Sequence, residues 1–219
     1  MKIRLFVFIL SSLLVSSLWA RAVAQTQRAI ANKSAVARYK LDAAQSRFMI
    51  DANSSGVLWF MGHNHHIAAR DFTGEIQMTQ GMPESASLEL RVKADSLAET
   101  GERFTEEQKK IITDTMHKQV LETGKYPEII FKSTKVTTKK KISENQYQVW
   151  IEGDLTLHDV TRRVVIPALV EFSADKIRAS GKFEFDRDDF NVKTRSIKWG
   201  TIKVDDDMKL SFDIAARSY

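Results

Sequence analysis

The stretch "YQVWIEGDLTLH", Tyr147 to His158, decides the class of the fold. Val149, Ile151, Leu155 and Leu157 fall on one side of an extended chain, and Trp150, Glu152, Asp154 and Thr156 on the other. A period of two with one dry and one wet face marks a half-buried antiparallel strand. The same alternation runs outward from it. "ASLELRVKA" sets Leu88, Leu90 and Val92 against Glu89, Arg91 and Lys93, "SRFMIDA" puts Phe48 and Ile50 together, and "VVIPALVEF", "GKFEFD" and "MKLSFDIAA" continue the pattern. Turn-forming residues separate these runs at Gln80-Gly81, Asp159, Ala174-Asp175, Asp186 to Asp189 and Asp205 to Asp207. Many short strands at such spacing predict a mainly β protein, a sandwich or a closed barrel.

One segment departs from the rhythm. "FTEEQKKIITDTMHKQVLETGKYP" returns Phe104, Ile112, Met116 and Val120 to one helical face. Thr105 with Gln108 forms a capping-box pattern, Glu106 and Glu107 suit the first turn, and Gly124 and Pro127 mark the exit. A lone helix among strands is expected to plug or cover one end of a barrel. His117, next to Lys118 and Gln119, reads as an exposed helical histidine rather than a ligand contact. No internal repeat and no second domain is visible.

The first residues have the pattern of an export signal. Lys2 and Arg4 precede an apolar run from Leu5 to Trp19, and Ala22-Val23-Ala24 supplies a small-residue cleavage site. Residues 1–24 are therefore expected to be removed, residues 25–37 to form a polar tail, and residues 38–219 to fold as one domain. Loss of Lys2, Arg4 and Arg21 takes three charges from the formal net charge of +5 and leaves +2. Such a balance argues against nucleic-acid binding, and the Lys139–Lys141 cluster reads as a solvated hairpin tip. The chain contains no cysteine, which excludes disulfides, thiol catalysis, cysteine-bound metal and a lipoprotein anchor. With 43% hydrophobic residues, stability must come from one large core.

Three strings carry a family resemblance in order along the chain: "GKYPEIIFKSTKV" (Gly124 to Val136), "GDLTLHDVTRRVVIPALV" (Gly153 to Val170) and "ASGKFEFDRDDFNVK" (Ala179 to Lys193). From about Tyr39 to the C-terminus the sequence resembles the YceI-like family of exported lipid-binding proteins, and "FTGEI" (Phe72 to Ile76) fits its second conserved strand. The resemblance implies an antiparallel eight-stranded, lipocalin-like barrel with one helix at an end. It further implies a non-catalytic periplasmic or secreted bacterial protein holding a long isoprenoid-type lipid, such as a polyprenyl phosphate or an isoprenoid quinone, for transport, storage or sequestration. No cofactor beyond that lipid is expected. A homodimer is left open as a further partnership. Where the family commonly has glycine after its Leu-Thr-(Ile/Leu)-His strand, this chain has Asp159, which must bear some cost if it adopts a left-handed conformation.

A site for an apolar chain needs only a dry cavity, and an eight-stranded barrel has room for one ligand. The expected inward residues are Phe48, Ile50, Leu58, Phe60, Ile76, Leu88, Leu90, Phe131, Leu155, Leu157, Phe183, Phe185 and Phe212. The stretch "FMGHNHHIAARDFTG", Phe60 to Gly74, places His63, His65 and His66 together, and Trp59 to His65 stand where the family's second strand usually has a His-Leu-Gly stretch. In a regular strand His63 and His65 share a side. They are expected at the cavity mouth, with His158 near it, where imidazoles can hydrogen-bond a quinone carbonyl or a phosphate. The alternative is a zinc or copper site formed by His63 and His65 with His158, His117 or a carboxylate. An enzyme with His65 and Asp71 or Asp159 as base and orienter is disfavoured, because no nucleophile accompanies them.

Overall fold

The computed structural model describes residues 36–55, 64–79, 81–173, 175–193 and 203–219. The alternating runs become strands β1 (Val36–Leu41), β2 (Arg47–Ser55), β3 (His65–Ala69), β4 (Phe72–Thr79), β5 (Ser87–Lys93) and β6 (Leu97–Glu99), followed by helix α1 (Glu106–Thr115). After the helix come β7 (Glu128–Lys141), β8 (Gln146–Leu157), β9 (Val160–Phe172), β10 (Lys176–Asp186) and β11 (Lys203–Ser218). Every pairing is antiparallel. The order β1-β4-β5-β7-β8-β9-β10-β11 closes on itself because β1 also pairs with β11, with Tyr39 opposite Ser218. Among the described residues the result is a closed eight-stranded barrel with a single α-helix.

The short strands β2, β3 and β6 extend this barrel rather than add to it. β1 and β2 both run along β11, β3 continues β4, and β6 continues β5 by pairing Leu97 with Ala69. Each of the three breaks has a local cause. At the first, Asp42 accepts from Ala44 N and from Arg217 Nε, while Ser46 Oγ accepts from Ala215 N, so side chains replace ladder hydrogen bonds. At the second and third, Lys93 N donates to Asp71 O, and Ser96 Oγ donates to Lys93 O across a 3₁₀ turn at Ala94–Ser96.

The capping box forms: Gln108 N donates to Thr105 Oγ1 and Thr105 N to Gln108 Oε1. The helix then widens into a π turn at Met116–Val120, which carries Met116 into the core. His117 departs from the exposed position expected of it: its Nε2 lies 2.7 Å from Leu97 O, which ties the π turn to β6. β1 begins at Val36, inside the stretch expected to be tail, because Val36 pairs with Thr79 of β4. Asp206 and Asp207 form part of β11 instead of a turn. Arg187 compensates the acidic start of that strand by pairing with Asp206, and it donates to Val192 O through Nη1. These bonds hold the Asp188–Phe190 turn in place and set Phe190, 1% exposed, beneath Phe185 as a second closure of the barrel interior. Among the described residues no helix is long and apolar enough to cross a membrane.

Candidate functional site

The inward faces of the strands enclose a cavity of about 150 Å³. Of the residues expected to point inward, Phe48, Ile50, Ile76, Leu88, Leu90, Phe131, Leu155, Phe183 and Phe212 line it. Leu157 and Phe185 do not. They are also inward, but they pack with Phe190 and Val192 in a second cluster beyond the cavity. Leu58, Phe60 and His63 lie outside the described residues. The lining also includes Val149, Ile151, Val170, Ile177 and Ile214, which share the period-two signal of their strands and were legible by it. Pro83 and Ala86 line it from the connection between β4 and β5, where no periodicity announces them.

No lining side chain carries a polar group. Water entering the space finds no hydrogen-bond partner, so the interior favours hydrocarbon over water. Two glycines shape the bore. Gly181 stands opposite Phe212 on β11, and a Cβ on Gly181 would meet the Phe212 ring at 2.7 Å. A Cβ on Gly153 would meet ring carbons of Phe131 at 2.5 Å. The missing side chains leave room for both rings and for the neighbouring strand backbones, since the same Cβ atoms would meet Pro167 O at 2.3 Å and Lys132 O at 2.6 Å.

A polar cluster lies near the helix-covered end. Glu99 on β6 is 2% exposed, with a fully buried carboxylate. Its Oε1 accepts from Gly101 N at 2.7 Å and His66 N at 3.2 Å, and its Oε2 lies 2.8 Å from His65 Nδ1. Paired with the Glu99 carboxylate, His65 donates through Nδ1, and Phe104 stacks on the ring at 5.5 Å with planes 8° apart. His65 is thus fixed in tautomer and orientation beside the interior, outside the cavity lining itself. His66 faces the other way and contacts Asp51 at 2.6 Å.

His158 has a different setting. With Asp159 it forms the two-residue hairpin turn between β8 and β9, both at positive φ (53° and 63°), as a tight primed turn demands. Its ring packs on Tyr126 at 3.9 Å, and Nε2 lies 3.3 Å from Glu122 without hydrogen-bond geometry. His158 therefore braces the helix exit against the turn rather than lining the cavity. Among the described residues no group of three or more histidines and carboxylates converges, and His63, on which the metal alternative rests, lies outside them. Glu99 is the residue that sequence reasoning missed, since an acid in "SLAETG" reads as exposed until the strand partners are known.

The sequence profile of the YceI-like domain matches residues 39–216, the whole barrel from within β1 to within β11. The chain belongs to the YceI-like family. Relatives in sequence include the UPF0312 protein of Pseudomonas fluorescens, 34% identical over 45% of this chain and 46% of that protein. The UPF0312 protein of Pseudomonas savastanoi pv. phaseolicola is 31% identical over 63% of this chain and 64% of its own length. The matches thus span between about half and two thirds of those relatives. Among solved YceI-like folds, Burkholderia cenocepacia BcnA superposes with a TM-score of 0.62 at 18% identity, covering 80% of this chain and 98% of BcnA. A polyisoprenoid binding domain from Saccharophagus degradans superposes with a TM-score of 0.60 at 13% identity, covering 83% and 98%. At these identities the structural likeness establishes the YceI-like barrel and nothing finer.

Proposed function

We propose that this YceI-like barrel is an exported, non-catalytic carrier that holds a long isoprenoid-type lipid in its interior. The observation that carries the reading is the cavity wall, built from aliphatic and aromatic side chains alone. Such a wall has no acid, base or nucleophile to offer a reaction, and it gains about 0.8 kcal/mol for each methylene it takes from water. The neighbouring fold from Saccharophagus degradans is described as polyisoprenoid binding, which supports the same ligand class here. The leader-like residues 1–24 support export to the periplasm or beyond.

At about 150 Å³ the cavity is smaller than the roughly 300–1,000 Å³ of typical small-molecule sites. A long chain enters when lining side chains change rotamer, as the phenylalanines around the lumen can do. His65 offers a polar contact for the headgroup. With Nδ1 committed to Glu99, its Nε2 accepts a hydrogen bond when the ring is neutral and donates one, to a phosphate or carbonyl oxygen, when it is protonated. The test is native mass spectrometry of protein purified from an exporting bacterial host, followed by organic extraction. One long-chain isoprenoid per protein is expected. Protein that leaves the host without lipid, and shows no thermal shift with a polyprenyl phosphate or an isoprenoid quinone, overturns the reading.

A further inference from the structure

The middle of β9 carries more apolar surface than its place in the barrel requires. Val164 to Val170 reads "VVIPALV", seven apolar residues in succession, whereas a strand with one wet face alternates. Ile166, Ala168 and Val170 are buried on the inner side. Val165, Pro167 and Leu169 lie on the outer side and are exposed, at 47% for Val165 and 37% for Leu169. Trp150 of β8 stands opposite Pro167 and is itself 47% exposed. Together these side chains form a contiguous apolar patch on the outside of a barrel whose neighbouring outer positions are mostly polar. A patch of this kind marks an interaction surface.

The edges of the patch are cationic. Lys139 Nζ sits 3.7 Å from the centre of the Trp150 ring, and Lys182 lines the same shallow outer trough together with Ser180 and Leu169. Neither lysine is in a salt bridge among the described residues. The outer carboxylates beside the patch, Glu152 next to Trp150 on β8, Glu184 next to Lys182 on β10 and Asp213 on β11, are engaged by Lys135, Lys209 and Arg178. A second copy of the chain docked by a twofold axis would bring this lysine-edged face against itself, an unfavourable match of like charge. An indole flanked by aliphatic side chains and lysines instead has the composition of a surface that settles at the boundary of a bilayer, ring at headgroup depth and ammonium groups on lipid phosphates.

We propose that the outer face formed by Trp150, Val165, Pro167 and Leu169, edged by Lys139 and Lys182, docks the barrel on an anionic lipid bilayer. The inference rests on the reading of the barrel as a lipid carrier, which must meet the membrane where its cargo is taken up or released. A small patch gives weak, reversible and salt-sensitive attachment, as a shuttling carrier needs.

The test is co-sedimentation of the protein, purified from an exporting host with its N-terminus verified, with vesicles of phosphatidylcholine alone or with phosphatidylglycerol added. Trp150→Ser and the double variant Lys139→Glu/Lys182→Glu are compared with the native chain, and retained lipid is extracted from each sample. All these positions are exposed or at the rim, and unchanged thermal unfolding verifies the fold. Expected is binding to the anionic vesicles, lost at high salt, and weakened about tenfold or more in either variant while retained lipid is unchanged. No binding to anionic vesicles, or equal binding by native and variant proteins, overturns the proposal. So does a dimer that Trp150→Ser converts to monomer with vesicle binding unaffected. Docking that depends on Trp150 in protein devoid of extractable lipid upholds this surface and overturns the carrier reading instead.

Discussion

At the scale of a single residue, buried Glu99 ties two segments of the chain together. Its carboxylate serves three donors from two segments, and nothing in its sequence neighbourhood distinguishes it from the exposed acids nearby. Glu99→Ala would leave the Gly101 and His66 amides and the His65 imidazole without their acceptor in a buried setting. A loss of about 3 kcal/mol in urea unfolding is expected, and a loss under about 1 kcal/mol would show that solvent already reaches these groups. Gly153 makes the opposite case, since glycine inside an alternating strand signals a close approach that sequence alone cannot assign to a partner. The partners are the ring of Phe131 and the backbone carbonyl of Lys132. Gly153→Ala should displace that ring into the lumen and reduce the lipid recovered per protein at least several-fold, with stability lowered by about 1–3 kcal/mol. Undiminished lipid recovery would argue that the bore is set elsewhere. Asp159 was readable as a left-handed position from its place in the turn; that His158 shares the same conformation was not, because the hairpin needs both residues to know its own length.

Among the elements, strands were legible wherever one face is wet, because the period of two is imposed by that contrast. It fades in the paired breaks near residues 42–46 and 94–96, which depend on hydroxyl groups finding backbone partners distant in sequence, Ser46 with Ala215 and Ser96 with Asp71. The helix was legible through its capping box, but the π turn after it was not, since it follows from Met116 reaching the core rather than from local preference. On the outer face of β10 and β11, Arg178 grips Asp213 with two hydrogen bonds, of 3.0 and 2.9 Å. The guanidinium holds the Asp213 carboxyl below its ordinary value of 3.8, Arg47 adding to the effect. An acid whose folded-state value is depressed stabilises the fold above its unfolded value, and the contribution disappears as the pH falls through the folded one. Asp213→Asn should therefore lower the melting temperature slightly at neutral pH and flatten its decline below about pH 4. An acid limb identical to that of the native protein would mean the pair is fully screened by solvent.

For the molecule as a whole, the barrel and its helix were within reach of the sequence, whereas the division of its interior was not. The expected inward residues separate into cavity wall and a filled region around Phe190, and only the position of the Asp188–Phe190 turn decides which is which. If the cavity holds a lipid, that lipid is part of the core. Exhaustive delipidation should then lower the melting temperature by several degrees, and restoring a polyprenyl phosphate should recover it, as binding to the folded state alone requires. A melting temperature indifferent to extraction would count against an interior ligand. The pairing of β1 with β11 has another consequence, one for synthesis. Tyr39 and Ser218 are neighbours in the wall but stand at opposite ends of the described chain. The wall cannot close until the final strand has left the ribosome, and closing so long a loop is slow. A nascent chain of this topology stays open until β11 has been made, which keeps it threadable until then by any machinery that moves polypeptides unfolded.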